Sequence, residues 1–204
     1  MRPKKGTIEG SRQDALIEAS ARLFFERGFD RTTVRDIARA AGITSGSIFY
    51  HFATKEEILA AIIEIGMRRG MGDIERSLEG VTGARARLRM LILSHLRALH
   101  GPHGHYHHIW LREMRLLPAE KIAGFKLISR GYRNLWRGVV DEAIAEGLVK
   151  SDWRIFRRVA IGALNWTTFW VHGPGDEKIV QIADLLVATL LNEASPLPPE
   201  VSDE

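Results

Sequence analysis

Residues 33–55 run Thr-Val-Arg-Asp-Ile-Ala-Arg-Ala-Ala-Gly-Ile-Thr-Ser-Gly-Ser-Ile-Phe-Tyr-His-Phe-Ala-Thr-Lys, the pattern of two short helices meeting at a tight turn. Val34, Ile37, Ala38 and Ala41 recur at helical spacing and give the first helix one apolar stripe, with Arg35 and Arg39 facing elsewhere. Thr33 is placed to cap this helix, with Asp36 at its third position. Gly42 can turn the chain sharply, and Thr44 can cap a second helix whose apolar anchor is only Ile48 and Phe52. The remainder of that helix, Ser45, Ser47, Tyr50 and His51, is small or hydrogen-bonding, suited to phosphates and base edges. Thr54-Lys55-Glu56-Glu57 then spells a capping box that opens a further helix. This is the layout by which a protein places one helix in the major groove of DNA.

The charge distribution agrees with that reading. Residues 1–55 hold ten Lys/Arg against six Asp/Glu, and the rest of the 204-residue chain holds nineteen of each, so the net charge of +4 sits in the first quarter. Counterion release makes such a stretch attractive to DNA, and Arg2, Lys4 and Lys5 form an arm able to reach along the backbone, a solvated terminus being the alternative. The chain has no cysteine, which excludes disulfides and thiolate metal sites. Residues 1–15 carry no apolar signal-peptide core, and the nearly uncharged run 159–171 is too short to span a bilayer, so a cytoplasmic protein with no membrane partner is expected.

Periodicity predicts an all-α chain. A helix over 11–27 ends at Gly28 and completes a three-helix head. The helix from Lys55 is expected to loosen between Gly66 and Gly72, and further helices are expected over 83–99, 105–117, 118–147, 152–172 and 176–193. The domain division that follows is a disordered basic arm over 1–10, a helix-turn-helix DNA-binding domain over 11–54, a helical effector-binding and dimerisation domain over 55–194 and a disordered tail over 195–204. The last two long helices carry apolar residues on more than one face, the surplus suiting a two-fold dimer through a four-helix bundle.

From about residue 11 to 65 the chain resembles the DNA-binding domain of the TetR family of transcriptional repressors. The resemblance rests on the Thr-Thr-Val start at 32–34, the Ala-Gly-Ile turn at 41–43, the aromatic run Phe49-Tyr50-His51-Phe52 and Lys55. It implies a homodimer that binds double-stranded, palindromic operator DNA and is released from it by a small-molecule effector. Carried over residue by residue, it implies DNA contacts by Thr33, Arg35, Thr44, Ser45, Gly46, Ser47, Phe49, Tyr50, His51 and Lys55. Phe49 departs from the usual tyrosine and has no hydroxyl for a phosphate, and Ser45 stands where a longer side chain is common.

Aromatic and polar residues of the later helices, Trp110, Phe125, Arg130, Tyr132, Trp136, Asn165, Trp166, Phe169 and Trp170, are candidate effector contacts, although aromatic rings on helices also fill cores by default. The layout Ala163-Leu164-Asn165-Trp166, Trp170 and a Gly-Pro-Gly loop, after Arg130-Gly-Tyr132 and Glu146-Gly-Leu148, is similar to the TetR-like repressors of fatty-acid and steroid degradation. That likeness implies an acyl-CoA effector, with an apolar tunnel for the acyl chain and Arg112, Arg115 or Arg130 for the phosphates. A lipophilic drug-like ligand is the alternative. A metal is another, since His95, His100, His103, His105, His107 and His108 fall within fourteen residues, but a glycine-rich loop with adventitious affinity suits that spacing better than a defined site. No nucleophile elbow, phosphate loop or dinucleotide fingerprint is present, so neither an enzyme nor a cofactor is expected.

Overall fold

Helix ends are where the chain commits itself. In the computed structural model, which describes the backbone of residues 5–194 and side chains from residue 13 onward, ten α-helices and no strand are found among the described residues. They are α1 (Lys5–Arg27), α2 (Val34–Ala41), α3 (Ser45–His51), α4 (Lys55–Leu78), α5 (Ala84–His100), α6 (Gly104–Glu113), α7 (Ala119–Gly124), α8 (Lys126–Ala145), α9 (Trp153–Trp166) and α10 (Asp176–Leu191), with short 3-10 turns at Met114–Leu116 and Thr167–Phe169. No helix among them is long and apolar enough to cross a membrane.

The chain divides into two compact units. The first takes the chain up to Arg68 together with His105–Lys126, and the second takes Arg69–Gly104 together with the chain from Leu127 onward. This division does not follow the boundary expected at residues 54 and 55, because the apolar residues of the first half of α4, Ile58, Leu59, Ile62 and Ile63, are buried with the head.

In the first unit, Gly28 in the left-handed region (φ 84°) ends α1, and Phe24 meets Phe29 edge to face at 5.2 Å. Helix α2 opens on a full capping box: the Asp36 N–H donates to Thr33 Oγ1 at 3.2 Å and the Thr33 N–H donates to Asp36 Oδ2 at 3.1 Å. The Thr33 hydroxyl first and the Thr33 N–H second, both donating to the Asp36 carboxylate, hold it below its usual range. Gly42 (φ 66°) caps its far end, with the Ile43 N–H returning to Ala38 O at 3.0 Å. Thr44 caps α3 through the Ser47 N–H at 3.2 Å. Thr54 caps α4 through the Glu57 N–H at 3.2 Å, and Glu57 returns to the Ala53 N–H at 2.8 Å, one residue beyond the reciprocal partner a capping box uses. The Lys55 ammonium then donates to Phe29 O at 2.8 Å and Thr32 O at 3.1 Å and lies 4.0 Å from the centre of the Phe29 ring, tying the start of α4 to the α1–α2 turn.

Three expectations change. Helix α1 begins at Lys5, so residues 5–10 of the expected arm are helical even through Gly6 and Gly10; extending a nucleated helix costs less than starting one. Arg2, Lys4 and the tail over 195–204 lie outside the described residues, as does the Lys5 side chain. Helix α4 runs unbroken through Gly66, Gly70 and Gly72, and Gly66 is there for contact rather than flexibility: a Cβ on it would lie 2.8 Å from Tyr106 Cβ of α6. The expected helix over 118–147 is two, α7 and α8, divided at the buried Phe125. Helix α6 is fastened to α1 by the Tyr106 hydroxyl donating to Glu18 at 2.8 Å and by Arg112 donating to Phe25 O at 2.9 Å.

The second unit is a helical core built from the end of α4 with α5, α8, α9 and α10, around Leu88, Leu91, Ile92, Leu96, Trp136, Val139, Val140, Ala160, Leu164 and Val187. Arg89 and Arg97 of α5 pair with Asp184 and Asp176 of α10, and Arg85 with Glu193 just beyond its end, which sets the antiparallel register of the two helices. The pairs are largely solvated and add little stability of their own.

Gly66→Ala is expected to destabilise the protein by about 1–3 kcal/mol through overpacking against Tyr106, whereas Gly138→Ala, whose Cβ meets nothing within 4 Å, gains about 0.5–1 kcal/mol from backbone entropy. Urea titration of the two variants checks the opposite signs. Lys55→Ala is expected to cost about 2 kcal/mol by leaving two carbonyls without their charged donor, read as a lower denaturation midpoint in the absence of DNA.

Candidate functional site

The outward surface of the first unit's helix pair gathers most of the proposed DNA contacts. Ile48 and Phe52 turn into the head core, as their spacing predicts, and Thr33, Arg35, Thr44, Gly46, Ser47, Phe49 and Tyr50 are exposed, with Ser45 and His51 partly so. The Thr44 and Ser47 hydroxyls lie 2.9 Å apart, and the Tyr50 and His51 rings meet edge to face at 5.2 Å. Such a surface offers hydroxyl, imidazole and guanidinium groups to a polyanion with few apolar groups to desolvate. Lys55 stands apart, because at least two of its donors are committed to protein carbonyls.

The candidate effector residues do not form one group. Trp110 and Phe125 belong to the first unit and the other seven to the second. The Trp110 indole donates to Met114 Sδ at 2.9 Å, and Phe125 lines a cleft of about 450 Å³ with Phe52, Glu57, Ala60, Glu64 and Lys121. Arg112 is committed to Phe25, through its carbonyl and over its ring at 5.6 Å. Arg115 and Arg130 are exposed.

In the second unit, Tyr132 of α8 and Asn165 of α9 meet on His95, the first of the six clustered histidines. His95 is buried on the apolar face of α5; its Nδ1 is bonded to the Tyr132 hydroxyl, and its Nε2 lies 3.1 Å from Asn165 Oδ1. Burial pushes the Tyr132 phenol far above its usual value, so it keeps its proton and donates to Nδ1. Nε2–H then donates to Asn165, which fixes the imidazole tautomer. Trp136, fully buried beside them with its ring edge-on to Tyr132 at 6.3 Å, turns its indole N–H towards the Tyr132 hydroxyl and opposes the rise of that phenol without a hydrogen bond of good geometry, while the buried Nε of Arg157 meets no acceptor. Orphaned buried donors are uncommon and mark a place where an acceptor fits. The signal in the sequence was a histidine at a core position of α5, four residues after Leu91 and one before Leu96.

Trp166, Phe169 and Trp170 differ from these: they are 63 %, 68 % and 54 % exposed. Ile155, Val159 and Trp166 lie on one exposed stripe of α9, and Gly162 between them has open space where a Cβ would stand. In the isolated subunit these rings form an exposed apolar surface, not the wall of an enclosed pocket.

The remaining histidines are spread over different partners. His100 Nε2 lies 2.7 Å from Thr167 Oγ1, His105 lies 3.6 Å from Glu18, and burial lowers His107 to about 4 so that it is neutral near pH 7. Among the described residues, no three His, Cys, Asp or Glu side chains are grouped to hold a metal ion.

Comparison with known proteins places this geometry. Residues 16–62 match the model of bacterial regulatory proteins of the tetR family, and residues 81–194 match a tetracyclin repressor-like C-terminal domain. The HTH-type transcriptional repressor KstR2 of Rhodococcus jostii (strain RHA1) is 32 % identical over 165 residues, 78 % of this chain and 80 % of the relative. The fatty acid metabolism regulator protein of Bacillus subtilis (strain 168) is 27 % identical over 182 residues, covering 87 % and 92 %. The crystal structure of AibR in complex with isovaleryl coenzyme A and operator DNA superposes with a TM-score of 0.80 at 25 % identity, covering 89 % of this chain and 99 % of that one. With a helix-turn-helix head and a C-terminal domain both matched in sequence, and the same fold throughout, the chain belongs to the TetR family of bacterial transcriptional regulators, which are DNA-binding proteins and not enzymes.

Proposed function

We propose that this protein is a cytoplasmic, homodimeric repressor that binds a palindromic operator through α3 and is released by an acyl-CoA or similar amphipathic acyl compound. The observation that carries the DNA half of this reading is the solvent-facing polar surface of α3, anchored only through Ile48 and Phe52, in the stretch that matches the family's DNA-binding model. The contacts are assigned to Thr33, Arg35, Thr44, Ser45, Gly46, Ser47, Phe49, Tyr50 and His51, with Lys55 holding the frame.

Support for the acyl half comes from the relatives, one a fatty acid metabolism regulator and one a structure holding isovaleryl coenzyme A, and from the second unit's core. There an otherwise apolar interior contains the Tyr132–His95–Asn165 chain and the weakly bonded Trp136 donor, a small polar pole of the kind that orients an acyl carbonyl. Members of the family act as dimers, and the exposed stripe of α9 is the surface assigned to that pairing, with Trp166, Phe169 and Trp170 at its end.

The test is a titration of the protein–operator complex with isovaleryl-, octanoyl- and palmitoyl-coenzyme A, with free coenzyme A, zinc and a planar cationic dye as controls. Acyl-CoA is expected to dissociate the complex, with affinity rising up to about fourfold per added methylene until the site is full, and the controls are not. Trp136→Phe removes the N–H together with part of the indole, so it should cost about 1 kcal/mol of stability through the cavity it leaves, keep DNA binding and weaken the effector about tenfold. Release by zinc alone would replace the acyl reading. Val159→Glu places a charge on a residue 56 % exposed in the subunit, so it should yield a folded monomer by light scattering with weakened operator binding.

A further inference from the structure

Phe49 is an apolar ring left 55 % exposed on a helix whose other outward side chains all carry a hydrogen-bonding group, Tyr50 among them at 79 % exposure. It does not serve the head core, which α3 fills with Ile48 and the following Phe52. Helix side chains lean towards the preceding turn, so Phe49 stands on the face of α3 that Ser45 and Gly46 begin. That turn is bare: Ser45 is short, and a Cβ on Gly46 would meet nothing nearer than Thr44 Oγ1 at 3.9 Å. The N-terminal turn of a recognition helix is the part that meets base edges. A small-residue turn lets the backbone approach them closely and leaves room for the ring beside it. In the major groove every base edge is polar except the 5-methyl group of thymine. A phenyl ring has nothing to donate to a phosphate and loses nothing in desolvation against a methyl group.

We propose that Phe49 is a base-reading residue that selects a thymine in each operator half-site by packing its ring on the 5-methyl group. The inference rests on the DNA-binding reading above. It also accounts for two departures together: the missing tyrosine hydroxyl and the short Ser45 are what a hydrophobic contact at this place requires.

The experiment uses full-length protein to select duplexes from a random-sequence pool, then replaces each thymine of the selected duplex in turn by uracil. Uracil keeps every hydrogen-bonding group and removes only the methyl. The expected result is one position per half-site at which uracil weakens binding about fourfold, the factor for one buried methyl group, with the other positions neutral. Phe49→Ala, a change at an exposed site, should keep the unfolding midpoint and the salt slope, weaken the thymine duplex, and bind thymine and uracil duplexes equally. Selection that succeeds while no thymine shows this effect, or an alanine variant that still discriminates, overturns the inference and leaves the DNA-binding reading intact. Failure to select any duplex overturns both.

Discussion

The ammonium group of Lys55 is the contact on which the head depends. It donates to the carbonyls of Phe29 and Thr32 and rests on the Phe29 ring, so one side chain joins the first turn of α4 to the turn between α1 and α2. Helix α3, seven residues long, is far too short to persist alone. It is held from behind by Ile48 and Phe52, at its entry by the Thr44 cap, and at its exit by Glu57 bonding to Ala53 while Lys55 fixes α4. A cation that charge counting assigns to the phosphate backbone thus works mainly inside the protein. The guanidinium groups of Arg35 and Arg39 remain outside, the latter only loosely paired with Asp36 at 4.0 Å.

The head was legible in the sequence because its determinants are local. Each of α2, α3 and α4 begins with a threonine whose oxygen accepts from the backbone two or three residues into the helix, and α2 ends at a glycine with positive φ; both signals lie within a few residues of what they control. Features set by distant residues were not legible. Gly66 and Gly72 look like helix breakers in sequence, and only the approach of Tyr106 shows why a glycine is wanted at the first. The α7–α8 break at Phe125 carries no proline, and the helix pattern runs across it.

The second unit illustrates the same limit at its candidate residues. Periodicity marks α9 as apolar on more than one side but cannot separate rings that face the core from rings that face another molecule. Phe156, Ala160 and Leu164 point inward while Ile155, Val159 and Trp166 point outward, and Trp166 sits beside Asn165 at the end of the buried polar chain. His95 is hidden for the opposite reason: five other histidines follow it closely in sequence, and only its burial against Tyr132 and Asn165 marks it as a core residue.

That arrangement of α9 suggests how one event can be felt at two places. Asn165 and Trp166 are consecutive, one hydrogen-bonded to His95 in the core and the other on the exposed stripe, so any rotation of α9 that lengthens the first contact also moves the second. A ligand that takes over the hydrogen bonds of the polar chain therefore has differential contact with two positions of α9, which is the condition for shifting a population between them. On the proposed reading of the exposed stripe of α9 as the pairing surface, that shift would alter how two subunits meet. Reciprocity would then require the operator, by selecting one arrangement of the subunits, to weaken the ligand by the same factor.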